Sequence, residues 1–189
     1  MKTKNLLLFV ILMLSISVFS QDHLKFKNIP IDGNINAFSK ELVKQGFTLL
    51  ESKGSSIILK GEFAGKQCNI VVVGTKKTLL TWKVYISFDK ENLWSSLKSK
   101  YYELKEQYTT KYGDGKSYEF FSNPYFEGDG YETTALSVDK CTWSTFWETK
   151  VGNISISIQA SQNIGISYED IKNTVVMDQE KNEIISNDI

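Results

Sequence analysis

Residues 89–113 constrain this chain more than any other stretch, because their apolar side chains can be buried together only on a helix laid against something flat. Trp94, Leu97, Tyr101, Leu104 and Tyr108 recur in alternating steps of three and four residues, which puts them on one helical face. Asp89 reads as the N-cap, with Phe88 and Leu93 at the two positions of a hydrophobic staple. Gly113 reads as the left-handed residue that closes the helix. Strand-like sequence flanks the stretch on both sides, so a sheet is the surface available to cover the stripe.

The chain before it supplies half of that sheet. Asn34 reads as the cap of a first helix, with Ile35, Phe38, Leu42 and Val43 as its apolar positions and Gly46 as its end. Four strand segments follow, at 47–51, 56–63, 67–73 and 79–88. In the last, Leu80, Trp82, Val84, Ile86 and Phe88 alternate with Thr81, Lys83, Tyr85 and Ser87. That period-two pattern belongs to an antiparallel sheet with one buried and one wetter face. After the long helix a second series appears, at 116–121, 138–149, 153–160 and 163–169, with Val151-Gly152 and Ser161-Gln162 as short links.

The expected fold class is therefore α+β. It consists of tandem helix-plus-four-strand units, pseudo-repeats at about 34–88 and 89–169, forming one antiparallel sheet with two helices packed on one face. Two separate layers are the alternative. Residues 23–32 read as an edge or turn, because Pro30 lacks an N–H. Residues 170–189 read as a polar tail, either frayed or with one short helix near 179–185.

Residues 1–20 have the form of a signal peptide. Lys2 and Lys4 precede an apolar run from Leu6 to Leu14 that is too short to span a bilayer, and small residues follow at Val18 and Ser20. The expectation is an exported chain, periplasmic or extracellular, starting at Gln21 or Asp22. It would form a single domain over 21–189 with no stable membrane span after cleavage.

Composition then narrows the function. The 22 basic residues are all Lys and are matched by 22 acidic ones. With no Arg and no clustered basic stripe, nucleic-acid binding is not expected. Cys68 and Cys141 are the two thiols. Export favours one bridge between them, closing a loop of about 73 residues; two separate buried cysteines are the alternative.

Catalytic sets are missing. His23 is the single histidine and sits at the expected new terminus, where it reads as solvated. No zinc motif and no glycine-rich phosphate loop occurs, so no catalytic residue, cofactor or metal site is assigned. Glu127, Asp129 and Glu132 cluster, but their spacing does not fit an EF-hand loop.

Aromatic residues are the richest resource. Tyr118, Phe120, Phe121, Tyr125, Phe126 and Tyr131 are followed by Trp143, Phe146 and Trp147. Pro124 and the nearby glycines place Tyr125, Phe126 and Tyr131 in a loop, and these three with Glu132 are the candidate partner-binding residues. The expected function is a non-enzymatic binding domain for a protein or an envelope component. The alternative is a carboxylate-based hydrolase acting on envelope or glycan material, which requires two acidic side chains about 5–10 Å apart in unlike surroundings.

The lead-in from His23 to Gly33 (His-Leu-Lys-Phe-Lys-Asn-Ile-Pro-Ile-Asp-Gly) resembles a group of small exported proteins from Gram-negative gut and oral bacteria. Lys44-Gln45-Gly46-Phe47, the stretch from Leu59 to Gly65, and Tyr108 to Gly113 look like the same group. These markers are structural, and the resemblance implies no activity. The tandem element order also looks like the β-lactamase-inhibitor-protein architecture, which implies a concave sheet that binds a partner protein. That architecture would carry two disulfides, one per repeat, whereas this chain has one Cys in each half.

Overall fold

The computed structural model describes residues 23–187, so the segment 1–20 read as an export leader lies outside the described residues. A ribbon of two short strands comes first among the described residues, β1 (Lys25–Phe26) and β2 (Ile29–Pro30). Lys27 and Asn28 both take positive φ at its tip, as a tight primed turn requires. Leu24, Phe26 and Ile31 drop from this ribbon into the core.

The first unit comprises α1 (Ile35–Lys44), β3 (Thr48–Lys53), β4 (Ser56–Phe63), β5 (Lys66–Gly74) and β6 (Thr81–Phe88). The second comprises α2 (Trp94–Tyr112), β7 (Lys116–Phe121), α3 (Glu132–Ser137), β8 (Cys141–Glu148), β9 (Gly152–Ile158) and β10 (Ile164–Asp170). A closing helix, α4, spans Ile171–Asn187. All eight strands of the two units join one antiparallel sheet in the order β3-β4-β5-β6-β10-β9-β8-β7. Each unit is a meander, and the two meanders meet through their last strands, Ile166 opposite Ile86. The fold is thus the α+β tandem that the alternation indicated.

The register shows why one face is dry. Leu59, Ile70, Ile86, Ile166, Ile156 and Thr145 stand opposite one another in a row crossing six strands, and all are fully buried. Flanking rows on the same face contribute Val72, Val84, Tyr168, Ile154 and Trp147. α1 covers the β4–β5 side with Ile35, Phe38 and Leu42. α2 covers the β9–β10 side with Leu97, Tyr101, Leu104 and Tyr108, and Trp94 packs at its start against Trp143 and Phe121. Burying each such aliphatic side chain stabilises by about 1.5–3 kcal/mol before chain entropy is counted.

Several expectations are corrected. Asn34 does cap α1, its Oδ1 accepting from Asn36 N–H at 2.9 Å, but Val43 turns outward and is exposed. Asp89 does not cap α2. The helix begins at Trp94, with Leu93 as an extended N-cap making no side-chain hydrogen bond. Phe88 is held in β6 opposite Cys68, and Glu91 N–H donates to Gln162 C=O, so residues 89–93 form the crossing between units. Gly113 ends α2 at φ 82°, as its lack of a Cβ permits. Val138 belongs to the turn after α3, and β8 starts three residues later.

Of the two readings of the tail, the helical one holds and the frayed one does not, but the helix is longer than expected, 17 residues from Ile171 to Asn187. It has no apolar stripe because polar groups anchor it. Asp170 Oδ1 accepts from Lys172 and Asn173 N–H, and Asn173 Nδ2 donates to Ile31 and Thr81 C=O at 3.0 and 2.9 Å. Two turns on, Glu180 accepts from Thr75 Oγ1, Thr78 Oγ1 and Lys77 N–H in the β5–β6 connection. His23 is likewise not solvated. Its ring is nearly buried between Asp32 and Asp170, with Nδ1 3.1 Å from Asp170 Oδ2.

The bridge between Cys68 and Cys141 is excluded within one chain. Both thiols are free and buried. They lie on β5 and β8, with β6, β10 and β9 between them. Four strand spacings amount to roughly 19 Å, whereas a disulfide needs Cα atoms within about 7 Å. Burial pushes the Cys68 thiol up to about 11 and the Cys141 thiol up to about 12.

Candidate functional site

Apart from Tyr102 on α2, two regions among the described residues present aromatic side chains to solvent. The first is the loop between β7 and α3. Asp129 shapes it, with Oδ2 accepting from Phe126 N–H at 3.0 Å and Oδ1 from Tyr131 N–H at 2.7 Å. Glu132 opens α3 and accepts from Gly128 N–H at 2.9 Å, while Glu127 pairs with Lys98. The loop's acidic side chains are thus engaged in holding its own backbone and α2. Phe126 and Tyr131 are about two-thirds exposed, at 63% and 62%. Tyr125 is not an exposed contact, as it is half-buried and packs against the core.

The second region is the face of the sheet that neither α1 nor α2 covers. Its side chains also stand in rows set by register. Lys116, Phe146, Ser155, Ser167 and Tyr85 form one row from β7 to β6. Beside it run Tyr118, Ser144, Ser157, Gly165 and Ser87. On the other side stand Glu148, Asn153, Glu169 and Lys83. The middle of the face is therefore floored by serine and glycine, with aromatics at its sides.

A groove of about 630 Å³ opens on this floor. Tyr118 and Phe146 form one wall, their rings 6.0 Å apart and edge to face, and both are exposed. Lys116 Nζ lies 5.3 Å from the centre of the Tyr118 ring, and hydrogen bonding to Tyr118 raises its pKa. Glu169 is bonded to Lys83 Nζ at 2.7 Å and to Ser167 Oγ at 3.2 Å. Glu148 is exposed, and Ile171 at the start of α4 closes the end. On the β6 side Tyr85 lies over Gly165; a Cβ there would meet its hydroxyl at 2.3 Å, so only glycine leaves room for the ring. Burial raises the Tyr85 pKa.

A third cluster is closed. Beneath α2, Tyr101 Oη bonds Thr145 Oγ1 at 2.6 Å and Glu119 Oε1 at 3.0 Å. Glu119 also accepts from Tyr102 Oη and Lys105 Nζ, and Thr145 pairs with Ser117. Burial would raise the Glu119 pKa, but the bonds from Lys105, Tyr102 and Tyr101 reverse this and lower it. Burial drives the Tyr101 phenol far above its usual value. This network holds α2 to the second unit.

Two carboxylate pairs bear on the hydrolase alternative: Asp32 and Asp170, one exposed and one buried, hold the His23 ring between them near the chain's first ribbon, and a second pair lies on the open face. Glu148 and Glu169 both stand opposite Asn153, two strand spacings or about 10 Å apart. Glu169 is bonded to an ammonium and a hydroxyl, and Glu148 faces solvent. Neither is enclosed by the apolar surroundings that keep a general acid protonated.

None of the four loop residues expected to bind a partner lines the groove. Phe146 was detectable from strand parity, because Trp143, Thr145 and Trp147 point inward and Phe146 between them must point out. No family model, no curated protein and no solved structure matches the chain. Among the described residues no helix is long and apolar enough to cross a membrane.

Proposed function

We propose that this chain is an exported, non-enzymatic binding domain, and that the uncovered sheet face is its recognition surface. The observation that carries the reading is the contrast between faces. Helices bury one face across its central strands, β3 at the margin staying exposed, while the other face keeps an exposed Tyr118–Phe146 pair beside a groove of about 630 Å³. Large aromatic side chains held rigidly on strands are the usual energetic anchors of a binding surface. A protein or envelope component is the partner class. The exposure of Phe126 and Tyr131 supports a second contact point at the loop.

The test is site-specific photocrosslinking in cells that export the chain. A benzophenone side chain is placed at Phe146 on the open face, at Phe126 in the loop, or at Val43 on α1. The expected result is a discrete adduct from Phe146 and none from Val43. Adducts confined to Val43 would transfer the binding surface to the helical side and end the reading. Adducts from Phe126 alone would move it to the loop.

A further inference from the structure

We infer that the groove on the open face takes a neutral saccharide, a short run of pyranose units stacked on Tyr118 and Phe146. This rests on the open face being the recognition surface and adds the chemistry of what it recognises. The floor of the groove lies on β8, β9 and β10, which are paired on both sides, so their backbone N–H and C=O groups are already used in the ladders. Of the groove's strands only β7, at its aromatic wall, is an edge strand, and a peptide added there by main-chain pairing would extend the sheet outward rather than lie on the floor. Recognition on the floor therefore comes from side chains.

Those side chains select against other classes. Glu148 and Glu169 disfavour an anion, and Lys116 beside the Tyr118 ring disfavours a cation there. The serine floor offers donors and acceptors that a lipid chain would leave unsatisfied. Lys83 and Glu169 neutralise each other at 2.7 Å, so the site carries little net charge. What remains is an aromatic wall, a line of hydroxyls, the Asn153 amide, and Glu148, which makes no salt bridge among the described residues. The negative π-face of an aromatic ring attracts the C–H groups of a pyranose face, because those hydrogens carry partial positive charge. A free carboxylate can accept from two adjacent sugar hydroxyls, and an amide can both donate and accept. Aromatic surface next to convergent hydrogen-bonding groups whose charges balance suits a neutral polyol.

The experiment is an amide-resolved NMR titration of the folded chain with maltotriose, cellotriose, mannotriose and chitotriose, each to about 20 mM. At least one should give saturable shifts confined to the groove strands β7 to β10. Phe146→Ala should weaken binding by about tenfold or more, and Glu148→Gln by a few fold. Raising salt from about 50 to about 500 mM should leave the affinity within about twofold, as for an uncharged ligand. Phe146 is 45% exposed, so its variant keeps the fold, which the same spectra verify. No groove shift with any of the four sugars overturns the saccharide assignment, and so does binding that Phe146→Ala leaves unchanged. If the sugars fail while Phe146 still crosslinks a protein, the open face survives as a surface and only its ligand class is wrong. If the sugars fail and crosslinks map to Val43, both fall.

Discussion

The two units of the sheet share a topology and differ in what fills it. Around the β6–β10 junction, β4 occupies the place that β8 occupies on the other side, and β5 the place of β9. Leu59 on β4 therefore answers to Thr145 on β8, and Ile70 to Ile156. The first unit is closed by aliphatic contact beneath a short helix. The second is closed by a hydroxyl network that reaches Tyr101 and Glu119 on and under a 19-residue helix. Dispersion tolerates small adjustments, whereas a buried hydroxyl must find a partner. The second unit therefore holds its strands more specifically, and it is the unit that carries the groove.

The largest effect expected from this contrast comes from exchanging the chemistries. Leu59→Thr removes apolar volume and introduces a hydroxyl into an aliphatic region, so it should cost about 3–5 kcal/mol in urea unfolding. Thr145→Val keeps the shape and removes the bonds to Tyr101 and to the exposed Ser117, leaving Tyr101 still bonded to Glu119, and should cost about 1–2 kcal/mol. Equal costs would show that the two halves are not different in kind.

A double-mutant cycle sharpens the second half of that statement. Tyr101→Phe should cost about 1–2 kcal/mol, and combined with Thr145→Val the losses should fall short of additivity by about 0.5–1 kcal/mol. Strict additivity in the unfolding free energies would mean that the 2.6 Å contact carries no coupling.

These contrasts also mark what the residues reveal in order and what they hide. Strands with clean alternation, such as Gly152–Ile158 and the Val84–Phe88 part of β6, are legible because one face is dry and the other wet; at the start of β6 a register irregularity buries Thr81 and leaves Trp82 half-buried, against the expected parity. The stripe from Leu97 to Tyr108 is legible for the same reason. α4 is not, because Asn173 and Glu180 are its two buried side chains and no hydrophobic period marks it. The groove is assembled from β7, β8, β9 and β10 by register, and register follows from which strands pair. Tyr125 looked like a loop contact because Pro124 precedes it, yet tertiary packing draws its ring inward. The thiols looked paired on compartment alone, which says nothing of the three strands between them.

The β5–β6 connection in the first unit, unlike its counterpart, is tied to α4 through Glu180. Burial would raise the pKa of this carboxyl, but bonds from Thr78, Lys77 and Thr75 outweigh it and the net shift is downward. A carboxyl lowered on folding stabilises above its unfolded value, about 4.3, and that stabilisation disappears as pH falls through the lower folded value. Glu180→Gln should therefore cost about 1 kcal/mol at neutral pH, and the difference from wild type should vanish in the acid range. A constant difference from pH 7 to pH 3, read by thermal unfolding, would show that the charge is not what matters.

The smallest effects belong to the two helix starts, and they separate the units most cleanly because packing hardly enters. Asn34 is exposed and its side chain accepts from the Asn36 N–H and the Asn36 amide, so Asn34→Ala should cost about 1 kcal/mol. Asp89 is exposed and lies five residues before α2, so Asp89→Ala should fall within about 0.5 kcal/mol of wild type. Leu93 has the extended backbone of an N-cap (φ −107°, ψ 131°), is 64% exposed, and leaves the first N–H groups of α2 without a side-chain acceptor. Leu93→Asp supplies that acceptor and places a negative charge at the positive end of the helix dipole. It should raise stability by about 0.5–1 kcal/mol, visible as a higher urea midpoint at unchanged m-value. A loss instead would mean that the Leu93 side chain contributes packing its exposure does not suggest, and that the second unit's helix is positioned from its start as firmly as the first.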